Sequence, residues 1–587
     1  MQKKEKNMFK NEFFIELQKL RESSKNAVAQ GNSTNLDYFQ EYLHVEREVE
    51  KHLSECIKEC SKSSKAELIL VCGNVGDGKS HILSRLNNRL KEEIRNFKIH
   101  NDATESHNPN ETSNDTLNRV LEDFKDVNIK ASNKKLILAI NLGTLSKFQE
   151  EYESDYTQLF DYVKTQKILD ADVIYHSKND SESSFHHVNF TDYHMYSLSS
   201  EGPKSIIIST LLERIVANSR ENPIFAAYEN YIEYFECAEM CPIKYNYEFL
   251  MNVENRNIII NLIIQTIVKN KLIVSVRSLL NFFFELIVPI NLSWDNLEIY
   301  SSDIKKLKES DYLSRIIPNY LFEHPELSYL FSAISRLDPC RHRYEDLDST
   351  LILLINSDTP KEIFLKNINK NTLEVLSNKI SKEKLTREEI TKLFIRLKYF
   401  QSSEENLRLS NTYYYQFMSL LYDFNNNKKT AIKEIYKLVE ESARRWKGDP
   451  KKNNRVVINL GKNQLKYRVL KEFSTEPTFY KIKESNDLHI TKFLQEFTLS
   501  FKLKKTEIPY KIHIDYRLYE ILIRILKGYR PNKKDNNNNI SFVSLINNFI
   551  SDGDSNSMLE IDKINIGKPA DYVLSIDSFG EYKFQLL

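Results

Sequence analysis

The amino-acid sequence predicts an α/β protein whose core is a parallel sheet, followed by a helical region and a C-terminal α+β domain. Residues 68–71 form an apolar run, which is typical of a strand buried on both faces, and glycines and a helix follow at once. Residues 97–100 and 136–140 are further strand-like runs, and residues 116–124 between them have helical periodicity. Residues 188–198 are a candidate for a further strand. Such alternation of strands and helices indicates a parallel sheet with helices on its faces.

A chain of 587 residues is too long for one hydrophobic core, so several domains are expected. Helical periodicity dominates the N-terminal segment and residues 206–436, whereas short strand-like runs return in the C-terminal third. There, residues 455–460 and 464–469 flank a glycine turn, and this pattern predicts a β-hairpin. We therefore predict an N-terminal helical segment, an α/β core, a helical lid or middle domain and a C-terminal α+β domain, at residues 1–62, 63–235, 236–440 and 441–587.

The turn after the first predicted strand combines closely spaced glycines with a lysine and a serine. Three of the chain's 12 glycines lie within six positions, between an apolar strand and a helix. Glycine lets backbone N–H groups approach a phosphate closely, and a helix N-terminus adds a positive end. The lysine then reaches the β- and γ-phosphates of a nucleotide, and the neighbouring hydroxyl ligates Mg²⁺. The pattern predicts a P-loop NTPase core that binds ATP and Mg²⁺ through Gly73, Asn74, Val75, Gly76, Asp77, Gly78, Lys79 and Ser80, with Ser80 as a metal ligand.

The structural alternative for this loop is a glycine turn beside a surface lysine. A P-loop hydrolase also requires a carboxylate for Mg²⁺ and a group that orients the attacking water, at the ends of strands beside the P-loop strand. Asp102 and Glu105 follow the run 97–100, so Asp102 is a candidate magnesium ligand and either acid could orient water. The run 136–140 ends in Asn141 instead of an acid, which resembles the γ-phosphate sensor asparagine of AAA-type ATPases. A turn and a helix N-cap are the alternative for the two acids.

Arginines beyond the core are candidates for contacts with the nucleotide. Arg277 begins an apolar helix and resembles the "sensor 2" arginine that AAA-type lid domains direct towards the nucleotide. Arg214 and Arg220 are candidates for an arginine finger directed at a neighbouring subunit of a homo-oligomer. A surface helix arginine is the structural alternative for Arg277.

The six cysteines are too few for a disulfide framework in a chain of this length. Cys56 and Cys60, like Cys237 and Cys241, are four residues apart and would share one face of a helix. His52 could join Cys56 and Cys60 as a metal ligand, but no fourth ligand stands out nearby. Buried free thiols are the simpler interpretation, and the sequence favours it.

Composition and charge exclude several functional classes. The formal net charge of +1 argues against a chain that coats nucleic acid, although residues 444–452 and 527–534 are basic and could contact DNA phosphates. Solvated surfaces are the simpler interpretation of both stretches.

The most apolar stretch, residues 258–289, contains charged residues, and no signal segment follows the N-terminus, so we expect a cytoplasmic protein without a membrane span. The sequence has no convincing nuclease constellation.

Several short stretches together carry a resemblance to a known family. They are 20–28 (LRESSKNAV), 41–45 (EYLHV), the P-loop with His81, 101–106 (NDATES), 138–143 (LAINLG) and 337–343 (LDPCRHR). This combination resembles the F component of DNA phosphorothioation-dependent restriction systems, called DptF or DndF. The P-loop alone is shared by many families, so the other stretches carry the specificity of the resemblance.

The resemblance implies a bacterial or archaeal protein that works with two partners, the DptG- or DndG-like and DptH- or DndH-like components. Such systems attack DNA that lacks sulfur in its backbone phosphates and spare the modified DNA of the host. The implied role of this chain is an ATP-dependent, ATP-hydrolysing part in restriction, with DNA met through the complex and with His81 added to the nucleotide site. Two alternatives stay open: a nucleotide-binding scaffold without useful turnover, and an AAA-like remodelling protein without a DNA role.

Overall fold

The chain forms two compact units, Met1–Ser197 with Pro203–Ser410 and Leu198–Gly202 with Asn411–Leu587. The structure is a computed structural model that describes residues 11–29, 38–74, 76–101, 112–169, 183–235, 237–290, 297–341, 345–367, 385–402, 411–458, 466–473, 475–478, 490–502, 509–552, 558–563 and 572–586. Helix Lys429–Arg445 belongs to the second unit, so it spans the boundary predicted between residues 440 and 441. The finer division into four domains stays a prediction.

Four parallel strands form the sheet of the first unit. They are β1 (Glu67–Cys72), β2 (Phe97–His100), β3 (Lys135–Ile140) and β4 (Phe185–Asn189). Their order is β2-β3-β1-β4, so β1 lies between β3 and β4 and is paired along both edges. The first three strands confirm the predicted runs. The strand predicted at 188–198 is instead β4, which ends at Asn189 because Phe190–Asp192 turns into a 3₁₀ helix.

Helices cover both faces of this sheet. Those described in the first 169 residues are α1 (Glu12–Ala29), α2 (Tyr38–Leu43), α3 (Glu48–Ser61), α4 (Lys79–Arg89), α5 (Lys91–Ile94), α6 (Ser113–Val120), α7 (Leu142–Tyr152) and α8 (Thr157–Thr165). On one face, Ile69 and Val71 share a buried cluster with apolar residues of α3 and α4. On the other face, Leu68 and Leu70 share one with α6, α7 and α8. Burial on both faces explains the uninterrupted apolar runs of β1 and β3.

The described residues of the first unit from 206 onwards are mainly helical, as predicted. The helices described there are α9 (Ile206–Val216), α10 (Pro223–Tyr234), α11 (Pro242–Met251), α12 (Val253–Asn270), α13 (Val276–Ile287), α14 (Leu297–Lys306), α15 (Glu309–Arg315), α16 (Ile317–Glu323), α17 (Tyr329–Ile334), α18 (Glu345–Asn356), α19 (Pro360–Asn367) and α20 (Arg387–Phe400). Asp338, in one of the stretches that carry the family resemblance, forms a buried ion pair with Arg396 of α20 (2.7 Å). That acid therefore has a structural partner within its own chain.

The second unit combines antiparallel sheets with helices. Its described helices are α21 (Thr412–Asn425), α22 (Lys429–Arg445), α23 (Tyr516–Leu526), α24 (Lys533–Asn538) and α25 (Ile540–Asp552). Its strands are β5 (Arg455–Ile458), β6 (Tyr467–Glu472), β7 (Glu476–Thr478), β8 (Phe497–Lys502), β9 (Tyr510–Ile514), β10 (Leu559–Lys563), β11 (Tyr572–Ile576) and β12 (Tyr582–Leu586), in the orders β12-β11-β10-β6-β5 and β7-β8-β9. β5 and β6 pair as the predicted hairpin, whose turn lies outside the described residues. Among the described residues, no helix combines the length and apolarity that a membrane span requires.

Candidate functional site

The segment after β1 is a loop whose main chain requires glycine. Gly76 and Gly78 have φ angles of 88° and 86°, in the left-handed region that other residues disfavour. A Cβ atom on Gly73 would lie 2.9 Å from Cβ of Phe190 and 3.0 Å from Oδ2 of Asp77, so a larger residue does not fit. Limited space at Gly73 and a left-handed main-chain conformation at Gly76 and Gly78 therefore favour glycine at these positions. Val75, between the first two glycines, lies outside the described residues.

Lys79 and the half-buried Ser80 are the first two residues of α4 and follow the carboxyl end of β1. The Lys79 ammonium donates hydrogen bonds to the carbonyl oxygen of Asn74 (2.7 Å) and to Oδ1 of Asn141 (3.4 Å). Asn141 follows β3, and neighbouring parallel strands end at the same edge of a sheet. The fold thus brings the predicted P-loop lysine and the predicted sensor asparagine together.

Asp77 links the loop to the segment before α3. Its carboxylate accepts a hydrogen bond from the main-chain N–H of Asn74 (2.6 Å), and its carbonyl oxygen accepts one from Arg47 (2.7 Å). Burial raises the pKa of the Asp77 carboxyl, although the Asn74 hydrogen bond and the charges of Lys79 and Arg47 oppose the shift. The Arg47 guanidinium also lies over the ring of Phe190, 5.6 Å from its centroid. Arg47 therefore fixes the loop from outside the P-loop sequence.

His81, the residue after Ser80, belongs to a buried polar network. Its Nε2 lies 3.0 Å from Nδ1 of His44, and Nε2 of His44 lies 2.9 Å from a carboxylate oxygen of Glu50. Arg85 contacts the other oxygen of Glu50 at 3.2 Å. Burial and the neighbouring His44 lower the pKa of His81 to about 4. The structure thus engages the His81 side chain in contacts within the protein.

The helix that carries Arg277 begins beside the loop. Ser275 is the N-cap of α13, and its hydroxyl accepts a hydrogen bond from the N–H of Ser278. A Cβ atom on Gly76 would lie 3.2 Å from Oγ of Ser275, so the N-terminus of α13 lies next to the loop. Burial lowers the pKa of Arg277. Arg277 therefore lies in the first turn of the helix that begins next to Gly76.

The acids predicted to bind Mg²⁺ and to orient water, Asp102 and Glu105, lie outside the described residues. The strand that precedes them, β2, is an outer strand of the sheet, and β3 separates it from β1. The magnesium ligand and the water-orienting acid were predicted at the ends of the strands beside β1. Those strands are β3 and β4. β2, the strand that these acids follow in the sequence, is thus one strand further from β1 than expected.

Asp192 is an acid near the same edge of the sheet that sequence reasoning did not single out. It ends the 3₁₀ helix after β4, and its Oδ1 accepts a hydrogen bond from Nδ2 of Asn189 (3.0 Å). Burial raises the pKa of the Cys72 thiol to about 12, and the charge of Asp192 adds to the shift, so this carboxylate lies near the end of β1. An acid directly after a strand was the available signal, but the strand predicted through residue 198 obscured it.

Arg214, considered as an arginine finger, is bound within its own chain. Its guanidinium donates hydrogen bonds to the carbonyl oxygens of Tyr42 (2.9 Å) and His44. An arginine finger must reach a neighbouring subunit, so Arg214 lacks the freedom that this role requires. Arg220 is exposed.

The basic stretch 444–452 of the second unit is partly neutralised by acids. Arg444 forms an ion pair with Glu440, and the Lys452 ammonium lies 3.1 Å from Oδ1 of Asp562. These pairs favour the structural interpretation of the stretch over a contact with DNA.

No protein-family model, curated protein or solved structure matches this chain. Several described segments outside the loop converge on it, among them the end of β3 through Asn141, the start of α13 through Ser275, the segment before α3 through Arg47 and the residue after β4, Phe190. Sequence reasoning identified Asn141 but missed Ser275 and Arg47, which have no motif of their own.

Proposed function

We propose that the loop of residues 73–80 binds ATP with Mg²⁺, and that the chain hydrolyses ATP as a component of a DNA phosphorothioation-dependent restriction complex. One observation carries the nucleotide part: a glycine loop joins an interior parallel strand to a helix N-terminus, where Lys79 bonds to the loop's own carbonyl group. Backbone N–H groups and a helix N-terminus together favour the binding of phosphate. The complex acts against DNA that lacks the sulfur modification.

Each polar residue of the site has a separate role in this proposal. Lys79 neutralises the β- and γ-phosphates, and Ser80 ligates Mg²⁺ through its hydroxyl. Asn141, within 3.4 Å of the Lys79 ammonium, contacts the γ-phosphate or the attacking water. Asp102 completes the Mg²⁺ site, and Glu105 orients the water.

Helix α13 is the proposed route from the nucleotide to the helical region. A γ-phosphate can bias a two-state element only if its contacts differ between the two states. The N-cap Ser275 lies next to Gly76, and Arg277 follows in the first turn, so a change at the loop would act directly on this helix. Arg277 is then the group that senses the γ-phosphate.

The restriction part of the proposal rests on the resemblance to the DptF or DndF family. In that setting the chain works with DptG- or DndG-like and DptH- or DndH-like partners, meets DNA through the complex and can form a homo-oligomer. The ion pairs of residues 444–452 agree with an indirect contact with DNA, because acids of the same unit already balance part of this charge.

Loss of the loop lysine tests the nucleotide site. Lys79→Ala should reduce the affinity for ATP by about 10- to 100-fold, because a hydrogen bond to a charged group contributes about 1.5–3 kcal/mol. Lys91→Ala removes an exposed lysine after the same helix and should bind ATP like the wild type. Isothermal titration of ATP into the folded variants measures both affinities. An affinity for ATP equal to that of the wild type in Lys79→Ala would contradict the assignment of residues 73–80 as a P-loop.

The same substitution tests the function in cells. Lys79→Ala, expressed with intact partner components, should abolish restriction, so that cells tolerate loss of the sulfur mark. Growth and DNA damage after removal of the modification enzymes are the readouts, with Lys91→Ala as the matched control. If Lys79→Ala cells suffer the same damage as the wild type, the nucleotide site is dispensable for restriction.

A second candidate is an AAA-like nucleotide-dependent scaffold or remodelling protein without a DNA role. Asn141, an amide where an acid would activate water, favours binding without turnover. Steady-state phosphate release, measured with and without DNA, separates the two candidates. Turnover that DNA or the partner components stimulate supports the restriction ATPase, whereas tight ATP binding without turnover supports the scaffold.

A further inference from the structure

The described residues include a buried cluster of three potential metal ligands: Cys56 and Cys60 of α3 and His186 of β4. One ligand atom of each residue lies within 4.8 Å of those of the other two. His52, which the sequence suggested as their partner, instead hydrogen-bonds to the hydroxyl of Tyr193 at 2.8 Å. The fold therefore supplies a different histidine, from a strand far along the chain.

The secondary structure fixes the two sides of this cluster. Cys56 and Cys60 are four residues apart on α3, so both thiols project from one helical face, while His186 is held in β4 opposite Ile69 of β1. Zinc bonds of about 2.3 Å to sulfur and 2.0–2.1 Å to nitrogen give separations of about 3.5–3.8 Å between tetrahedral ligand atoms. Small rotamer adjustments would therefore close the cluster around an ion.

Glu67, the first residue of β1, holds the imidazole ring of His186. Its Oε2 lies 2.7 Å from Nε2 of His186, and both side chains are buried. Metal-bound histidines commonly donate their second ring N–H to a carboxylate, which orients the ring and strengthens it as a ligand. With Nε2 engaged by Glu67, Nδ1 is the ring nitrogen left for an ion.

Charge balance favours a divalent cation in this buried position. Two thiolates and a neutral imidazole around a divalent cation carry no net charge, which limits the cost of burial. Lys135, the partner of Glu67 in the sheet register, donates a hydrogen bond to the carbonyl oxygen of Ser61 (2.7 Å) at the end of α3.

We propose that Cys56, Cys60 and His186 bind one Zn²⁺ ion, that Glu67 positions His186, and that a water molecule is the fourth ligand. Thiolate and imidazole are the ligands that zinc prefers, and a spacing of three residues between cysteines occurs in structural zinc sites. The ion joins α3, on one face of the sheet, to β4, which pairs with β1. It stabilises the core and is independent of ATP.

The zinc content of the full-length protein tests this proposal. Protein purified without chelators or a metal-affinity tag should contain close to one zinc per chain by mass spectrometry of the elements. Cys60→Ser and His186→Ala should lose the ion, whereas Cys340→Ser, a partly exposed cysteine on a different segment, should keep it. Glu67→Gln should retain the ligands and weaken zinc affinity by roughly 10- to 100-fold in a competition with a chromophoric chelator.

Cobalt(II) provides a readout that needs no substitution, should a ligand variant fail to fold. Zinc-free, reduced wild-type protein should bind one Co²⁺ and develop a thiolate-to-metal charge-transfer band with the visible bands of tetrahedral cobalt. Zinc should then displace the cobalt and bleach the spectrum. Absence of these bands, wild-type zinc content in Cys60→Ser, or an equal zinc loss in Cys340→Ser would each overturn the proposal.

Discussion

The two ends of β1 are built from different parts of the chain. At the carboxyl end, consecutive residues form the loop 73–80, and several of its contacts involve main-chain groups, as in the bond from Lys79 to Asn74. At the amino end, Glu67 meets His186, and the cysteines of α3 lie beside that histidine. A site formed by consecutive residues leaves a local pattern in the sequence, whereas a site gathered by the fold from distant side chains leaves little.

Truncation at the two ends should affect stability very differently, and this is the largest expected effect. Glu67→Ala leaves His186 without its buried carboxylate partner, and loss of one member of a buried pair costs about 3–5 kcal/mol. Lys79→Ala should lower the free energy of unfolding by less than about 1 kcal/mol, because its bond to Asn74 is exposed to solvent. Urea unfolding at neutral pH measures both values. Equal losses of unfolding free energy in the two variants would show that the two ends of β1 do not differ in their importance for stability.

The His81 network near the carboxyl end should make stability depend on pH. The pKa of His81 is lowered from 6.5 to about 4, so the unfolded chain takes up this proton first. The neutral His81 side chain makes its full contribution to the free energy of unfolding above about pH 6.5. This contribution, about 3 kcal/mol in total, is lost as the pH falls through about 4. Urea unfolding at pH 7 and pH 4.5 measures the change. His81→Asn should flatten this dependence, and a dependence as steep as that of the wild type in this variant would contradict the assignment to His81.

The smallest expected effect concerns two glycines and differs in sign between them. Gly76 has a φ of 88° and little room beside Ser275, so Gly76→Ala should cost about 1–2 kcal/mol. Gly143 lies in α7 with open space around it, so Gly143→Ala should stabilise the protein by about 0.5 kcal/mol. Thermal unfolding of both variants measures the direction in which each substitution shifts the melting temperature. A shift of the same sign in both would mean that backbone conformation does not set the requirement for glycine in the loop.

The parallel sheet was largely predictable because burial on both faces turns a strand into an apolar run. β1, β2 and β3 lie within a residue or so of the predicted runs. The limits of β4 were wrong because this strand contains the polar residues His186 and His187. Those side chains are buried through hydrogen bonds to Glu67 and Tyr162, which no local pattern reveals.

The candidate site likewise contains residues that a local sequence pattern predicted and residues that only the fold brings together. The glycines, Lys79 and Asn141 were found because they are adjacent to predicted strands. Arg47 and Ser275 were missed because arginine and serine are common, and only the fold brings them to the loop. For the cysteines of α3, sequence proximity suggested His52, whereas the fold directs that ring to Tyr193.

The parallel pairing of β1 has a consequence for the growing chain on the ribosome. One edge of β1 pairs with β3 and the other with β4, so the strand is not complete until Asn189 has left the exit tunnel. The roughly 120 residues between Cys72 and that point take about 6–24 s to synthesise at 5–20 residues per second. During that time an apolar segment has an open edge and is a substrate for chaperones. The glycine loop, although synthesised early, therefore takes its final conformation late.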